Sequence, residues 1–121
     1  MEEERWLPIK GWEDYYECSS LGRIRSKERI IIQNNGRFHR RKSQLLSLIP
    51  NKKVGYLQVM LHNHQKYKLC YVHRVVCQAF VENPYGFDYV THLNGNDHDN
   101  RAENLRWISK SWKKNKELNL I

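Results

Sequence analysis

Between Arg29 and Phe80 the chain has no aspartate or glutamate. Scattered solubilising charge, which would mix both signs, is thereby excluded for this stretch. Cysteine is scarce too: Cys18, Cys70 and Cys77 are odd in number and form no C-x-x-C pair. Neither a disulfide framework nor a paired-cysteine zinc site fits that pattern, so no zinc is expected and the setting reads as reduced and intracellular. No apolar run approaches the ~18 residues of a membrane span, and the N-terminus opens on glutamates rather than on a basic stretch with an apolar core. A soluble chain with no membrane partner is expected. With 121 residues, 40% of them hydrophobic, the length suits one compact domain or a small domain with an appendage, and excludes large multidomain enzyme folds.

What is present is positive charge, in one place. The formal net charge is +8 and the pI about 9.5. Residues 1–18 carry six acids against two bases, while residues 19–68 carry twelve bases against Glu28 alone. Arg29, Arg37, Arg40, Arg41, Lys42, Lys52, Lys53, Lys66, Lys68 and Arg74 all fall in the acid-free stretch. Such a block is a footprint for phosphate.

Along the chain, Tyr15 to Cys18 and Arg23-Ile24-Arg25 flank Ser19-Ser20-Leu21-Gly22, which predicts a short hairpin. Ile30 to Ile32 and Arg37 to Arg41 flank Asn34-Asn35-Gly36, a strong turn signal, and predict a second. A linker with Pro50 leads to strands at Tyr56–Leu61 and Tyr67–Val72. Val75, Val76, Ala79 and Phe80 share a helical face that Asn83-Pro84 ends. A strand at Tyr89–His92, a polar loop over residues 94–100 and a strand at Arg106–Ile108 follow. Asn100 and Glu103 have capping-box spacing for a helical turn, and Ser109 is placed to cap a last helix reaching about Leu118.

Hydrolysis of a phosphodiester needs an activated water, a cation or strong donor on the phosphate oxygens, and stabilisation of the departing oxygen. Two strands and a helix can supply all three. The runs Val72-His73-Arg74-Val75-Val76, Phe80 to Pro84, Val90-Thr91-His92-Leu93-Asn94-Gly95-Asn96 and Asn100 to Trp107 resemble the HNH family of phage and intron homing endonucleases. Arg5-Trp6, Gly11-Trp12, Tyr16 and Ser19 to Ile24 resemble the small nuclease-associated module often found in front of it. The literal string His62-Asn63-His64 lies in a turn between strands and is not the site.

The resemblance implies an α+β chain: an N-terminal β-hairpin module over 1–50 and an HNH-like ββα-metal fold over 51–121. It implies that His92 is the general base and that Asn104 braces the loop and orients that histidine. It also implies metal ligands at the residue before the histidine and at the sixth residue after Trp107, where this chain has Thr91 and Lys113. A hydroxyl is a poor ligand for a hard divalent ion and an ammonium repels one. Three alternatives follow: a shifted, weaker magnesium or manganese site using Asp97, His98 or Asp99 with Asn115; Lys113 standing where the metal would be, on the phosphate charge; or a DNA-binding fold without cleavage. Lys113 also fits a solvated face with Lys110, Lys114 and Lys116, paired to Glu117, and His73 fits a packing role at the helix start. Trp107 and Trp112 fit the core.

For nucleic-acid contact the candidates are Arg29, Arg37, His39, Arg40, Arg41 and Lys42 on the second hairpin, extended by Lys52 and Lys53. Duplex DNA is the expected partner, in the cytoplasm of a bacterial or phage-infected cell. The rival reading is an inactive HNH fold acting by binding nucleic acid, RNA included, or an acidic protein or ribonucleoprotein surface.

Overall fold

The computed structural model describes residues 3–111. Strands β1 (Trp6–Pro8), β2 (Tyr16–Ser19) and β3 (Ile24–Ser26) form an antiparallel sheet in that order. The predicted hairpin turn is there: Ser19 Oγ accepts the backbone N–H groups of Leu21 and Arg23 at 3.2 and 3.0 Å, and Gly22 takes φ +89°, which favours glycine. Strands β4 (Arg29–Ile32) and β5 (Phe38–Arg41) make a separate two-stranded ribbon closed at Gly36. A third sheet runs β6 (Ile49–Pro50), β7 (Leu57–His62), β8 (Tyr67–Tyr71). The segment expected as a linker is thus an edge strand. Pro50 is tolerated there because an edge position leaves one side of the backbone without a ladder partner.

Helix α1 (Val72–Phe80) starts directly after β8, three residues earlier than the apolar spacing suggested. Its apolar stripe, Val72, Val75 and Val76, is buried together with His73 and Cys77. Asn83 closes the turn beyond it, accepting from Phe87 N–H at 2.9 Å and donating to Phe87 C=O at 2.8 Å. Strands β9 (Tyr89–His92) and β10 (Leu105–Ile108) pair antiparallel, with Leu105 opposite His92 and Arg106 opposite Thr91. Only Lys110 and Ser111 of the expected last helix are described; Trp112, Lys113 and Asn115 lie outside the described residues.

One core joins these pieces. Ile9, Trp12, Tyr16, Cys18 and Ile24 of the N-terminal sheet are buried with Val59 and Leu61 of β7, the stripe of α1, and Leu105 of β10. Truncating a fully buried member such as Leu61 or Leu105 to alanine leaves a cavity worth about 2–5 kcal/mol. Among the described residues no helix is long and apolar enough to cross a membrane. The α+β class read from the sequence describes this architecture.

Candidate active site and nucleic-acid interface

His92 ends β9 and is buried at 4% exposure. Its imidazole is packed against two rings. Tyr56 stacks on it with centroids 5.9 Å apart, His73 meets it edge-on at 5.2 Å, and Tyr71 stacks on His73 at 5.4 Å. Nε2 lies 2.8 Å from Asn100 Oδ1. With the amide oxygen of Asn100 turned to it, Nε2 is the donor of this bond and Nδ1 is left as the basic nitrogen, while Asn100 Nδ2 is buried. Nδ1 faces the half-exposed Asp97, whose Oδ1 is 3.6 Å away.

The loop after β9 is built from its own amides. Asn104 Oδ1 accepts Asn94 N–H at 3.0 Å, and its Nδ2 donates to Asn94 Oδ1 at 3.1 Å and to Asp99 C=O at 2.8 Å. Leu93 N–H donates to the Asn104 carbonyl at 2.8 Å. Asn104 therefore braces the loop and reaches His92 only through it; the side chain bonded to the histidine is Asn100. The capping box predicted for Asn100 and Glu103 does not form. Arg101, extended, stands between Asn100 and the 3-10 turn Ala102–Asn104, which has no side-chain cap. Glu103 binds Arg101 instead, at 2.6 Å.

Asp99, expected among the metal candidates, is gripped by Arg101 through Nε at 2.8 Å and Nη2 at 2.9 Å, and by Asn94 Nδ2 at 2.7 Å. The Arg101 guanidinium holds its carboxyl down to about 2. His98 Nε2 meets the Gly55 carbonyl at 2.7 Å. That contact, with Tyr56 on His92, sets the turn carrying Lys52 and Lys53 against the loop. Arg29 and Arg41 face each other across the β4–β5 ribbon, His39 lies on the same face, Arg40 on the other, and Arg37 and Lys42 flank β5. The ribbon belongs to a different sheet from the strand that carries His92. Cys18 and Cys77 are sealed in the core, where burial pushes both thiols up to about 12, and neither is available as nucleophile or ligand.

The N-terminal module presses on this loop. Ala102 N–H donates to the Ser20 carbonyl at 2.8 Å, and Ser20 Oγ accepts from Arg5 N–H at 2.9 Å. Known proteins match both the β-rich module and the loop that carries His92. The HNH endonuclease family model matches residues 70–113 and the NUMOD4 motif matches residues 4–62. DNA endonuclease I-HmuI of Bacillus phage SP01 is 33% identical over 104 residues, covering 86% of this chain and 52% of the relative. An uncharacterised HNH endonuclease of Acanthamoeba polyphaga mimivirus is 32% identical over 113 residues, covering 87% of this chain and 23% of the relative. The solved structure of the HNH homing endonuclease I-HmuI superposes with a TM-score of 0.72 at 28% identity, over 95% of this chain and 58% of that one.

The chain belongs to the HNH endonuclease family. It spans about a quarter to a half of the length of these curated relatives. HNH endonucleases typically use a divalent metal, and the described residues of this HNH chain do not fit one. Thr91 faces Arg106 across the ladder, Asp99 is spent on Arg101, and no three His, Cys, Asp or Glu side chains converge among the described residues. Hard divalent ions need several oxygen donors, and Asp97 alone offers too few.

Sequence reasoning missed Tyr56 and Asn100 around the histidine, while His73 packs at the start of α1 as expected. Asn100 had a signal, its place in the polar loop, but spacing to Glu103 made it look like a cap. Tyr56 had none: it stands just before β7, which starts one residue later than expected, and meets His92 only through tertiary packing.

Proposed function

We propose that this chain binds duplex DNA and nicks it by phosphodiester hydrolysis, with His92 as the general base. The observation that carries the reading is the 2.8 Å bond from His92 Nε2 to Asn100, which leaves Nδ1 to accept a proton. Water gives its proton to Nδ1, its oxygen attacks phosphorus, the bond to the leaving sugar oxygen breaks, and that oxygen takes a proton from solvent. The Asp97 carboxylate, 3.6 Å from Nδ1, steadies the imidazolium formed in the first step. Asn104 is a positioning residue, and Lys113 is the sequence's cation for the phosphate charge. No step is assigned to a metal.

A binding-only protein of the same fold is the competing reading, favoured by Thr91 and Lys113 at the ligand positions. A supercoiled-plasmid nicking assay separates the two, with wild type and His92→Ala each in magnesium, manganese and chelator. Nicking that needs His92 and survives chelation supports the reading with Lys113. Nicking that needs both His92 and metal supports a shifted metal site instead. Duplex binding with no His92-dependent nicking in any condition makes the protein a binder.

A further inference from the structure

The β4–β5 ribbon has two unlike faces. Directly opposed residues of an antiparallel pair share a face, so the pairings Ile32 with Phe38 and Ile30 with Arg40 put three large apolar side chains together. They are 63% (Ile30), 68% (Ile32) and 73% (Phe38) exposed. The other face, with Arg29, Ile31, His39 and Arg41, leans on the body: the Arg29 guanidinium lies 5.1 Å from the Tyr15 ring centroid, and Arg29 and Ile31 are half-buried. Among the described residues no further strand pairs with the ribbon. An exposed apolar face on a free two-stranded ribbon is an aggregation liability unless something covers it.

Charge selects what covers it. Arg40 on the same face, with Arg37 and Lys42 at the two ends of β5, surrounds the apolar side chains with positive charge, so a second copy of the ribbon would bring like charges together, whereas a polyanion would be attracted. A two-stranded ribbon is the width of a DNA major groove, and the apolar group that base edges show there is the thymine C5-methyl. The flanking guanidiniums then reach phosphates on either side, which positions the ribbon without reading sequence. We propose that Ile30, Ile32 and Phe38 read thymine methyl groups in the major groove. This rests on the duplex-binding reading and adds to it a base preference held by residues that carry no charge.

Uracil pairs as thymine does and lacks the methyl, which gives a direct test. Fluorescence anisotropy would compare a labelled duplex of alternating dA and dT with its dA and dU counterpart. Wild type is expected to prefer the thymine duplex by about fourfold for each methyl buried. The doubly substituted Ile32→Gln, Phe38→Gln protein, changed at exposed positions and checked by its melting curve, is expected to lose the preference while keeping the salt dependence. Equal wild-type affinity for the two duplexes overturns the proposal and leaves DNA binding standing. Failure to bind either duplex overturns both. A dimer in sedimentation equilibrium that Ile32→Gln, Phe38→Gln dissociates would show that a second copy covers the face, and also overturns it.

Discussion

Gly22 lies in backbone contact with Asn100. A Cβ at Gly22 would sit 3.0 Å from both the carbonyl carbon and the carbonyl oxygen of Asn100, and the glycine already holds φ +89°. The turn of the N-terminal sheet is thus a seat for the residue whose side chain holds His92. Substituting Gly22→Ala meets two penalties, a left-handed backbone and a clash with main chain that cannot swing aside. A loss of about 2–3 kcal/mol is expected in urea denaturation. Gly36 has a similar φ of +79° but open space around it, so Gly36→Ala should lose only the backbone part, about 1 kcal/mol. Equal losses at the two glycines would refute the seating role.

Asn104 and Asn100 divide the support of His92 between them, and their removal should look different. Asn104→Ala deletes three side-chain hydrogen bonds inside the loop. About 2–4 kcal/mol of stability should go with them, because the groups left behind are partly buried. Asn100→Ala deletes the bond to Nε2 alone, and about 1 kcal/mol is expected. Its signature is elsewhere: NMR correlations between ring nitrogens and protons should show one tautomer, protonated at Nε2, in wild type and a mixture in Asn100→Ala. A tautomer mixture already present in wild type would contradict the assignment of Nδ1 as the base.

Asp99 gives the loop a defined response to acid. Its carboxyl is held at about 2 against an ordinary value of 3.8, chiefly by the Arg101 guanidinium. The folded value is the lower one, so the stabilisation is complete above about pH 4 and is lost as pH falls through the window down to about 2. Asp99→Asn removes the ion pair and keeps the shape. The difference in unfolding free energy between wild type and Asp99→Asn should hold at about 1–2 kcal/mol above pH 4, since the Arg101 side chain is 43% exposed and partly screened. Below pH 4 the difference should shrink. A difference that grows on acidification would mean that Asp99 is not the titrating group.

Local rules made much of this legible. The Asn35-Gly36 turn, the alternation of β7, the apolar stripe of α1 and the strand ending in His92 all rest on signals within a few residues. What escaped depends on distance. Trp6–Pro8 and Ile49–Pro50 become strands only because β2 and β7 offer them edges, and the Tyr56 and His73 rings meet His92 only after three sheets have closed on one core. Asn100 is the instructive case, because its chemistry was visible and its partner was not. An asparagine three residues before a glutamate reads as a cap, yet the extended Arg101 turns its amide toward the histidine.

Glu28 is the lone acid between Ser19 and Val81, and it pairs with Arg40 at 3.2 Å with both side chains more than half exposed. A pair so exposed adds little to stability, and Glu28→Gln should leave the melting temperature within about a degree or two. Its effect on a phosphate partner is larger. Freeing Arg40 and removing a repelling charge should tighten duplex binding and steepen the fall of affinity with salt, by about one unit in the slope of log K against log salt for one added phosphate contact. Arg41→Gln and Lys53→Gln should each flatten that slope by about one unit, the first on the ribbon and the second on the turn beside His92. Salt titration of binding by anisotropy measures all three. A slope that responds to Arg41 and not to Lys53 would confine the phosphate track to the ribbon and separate it from the His92 loop.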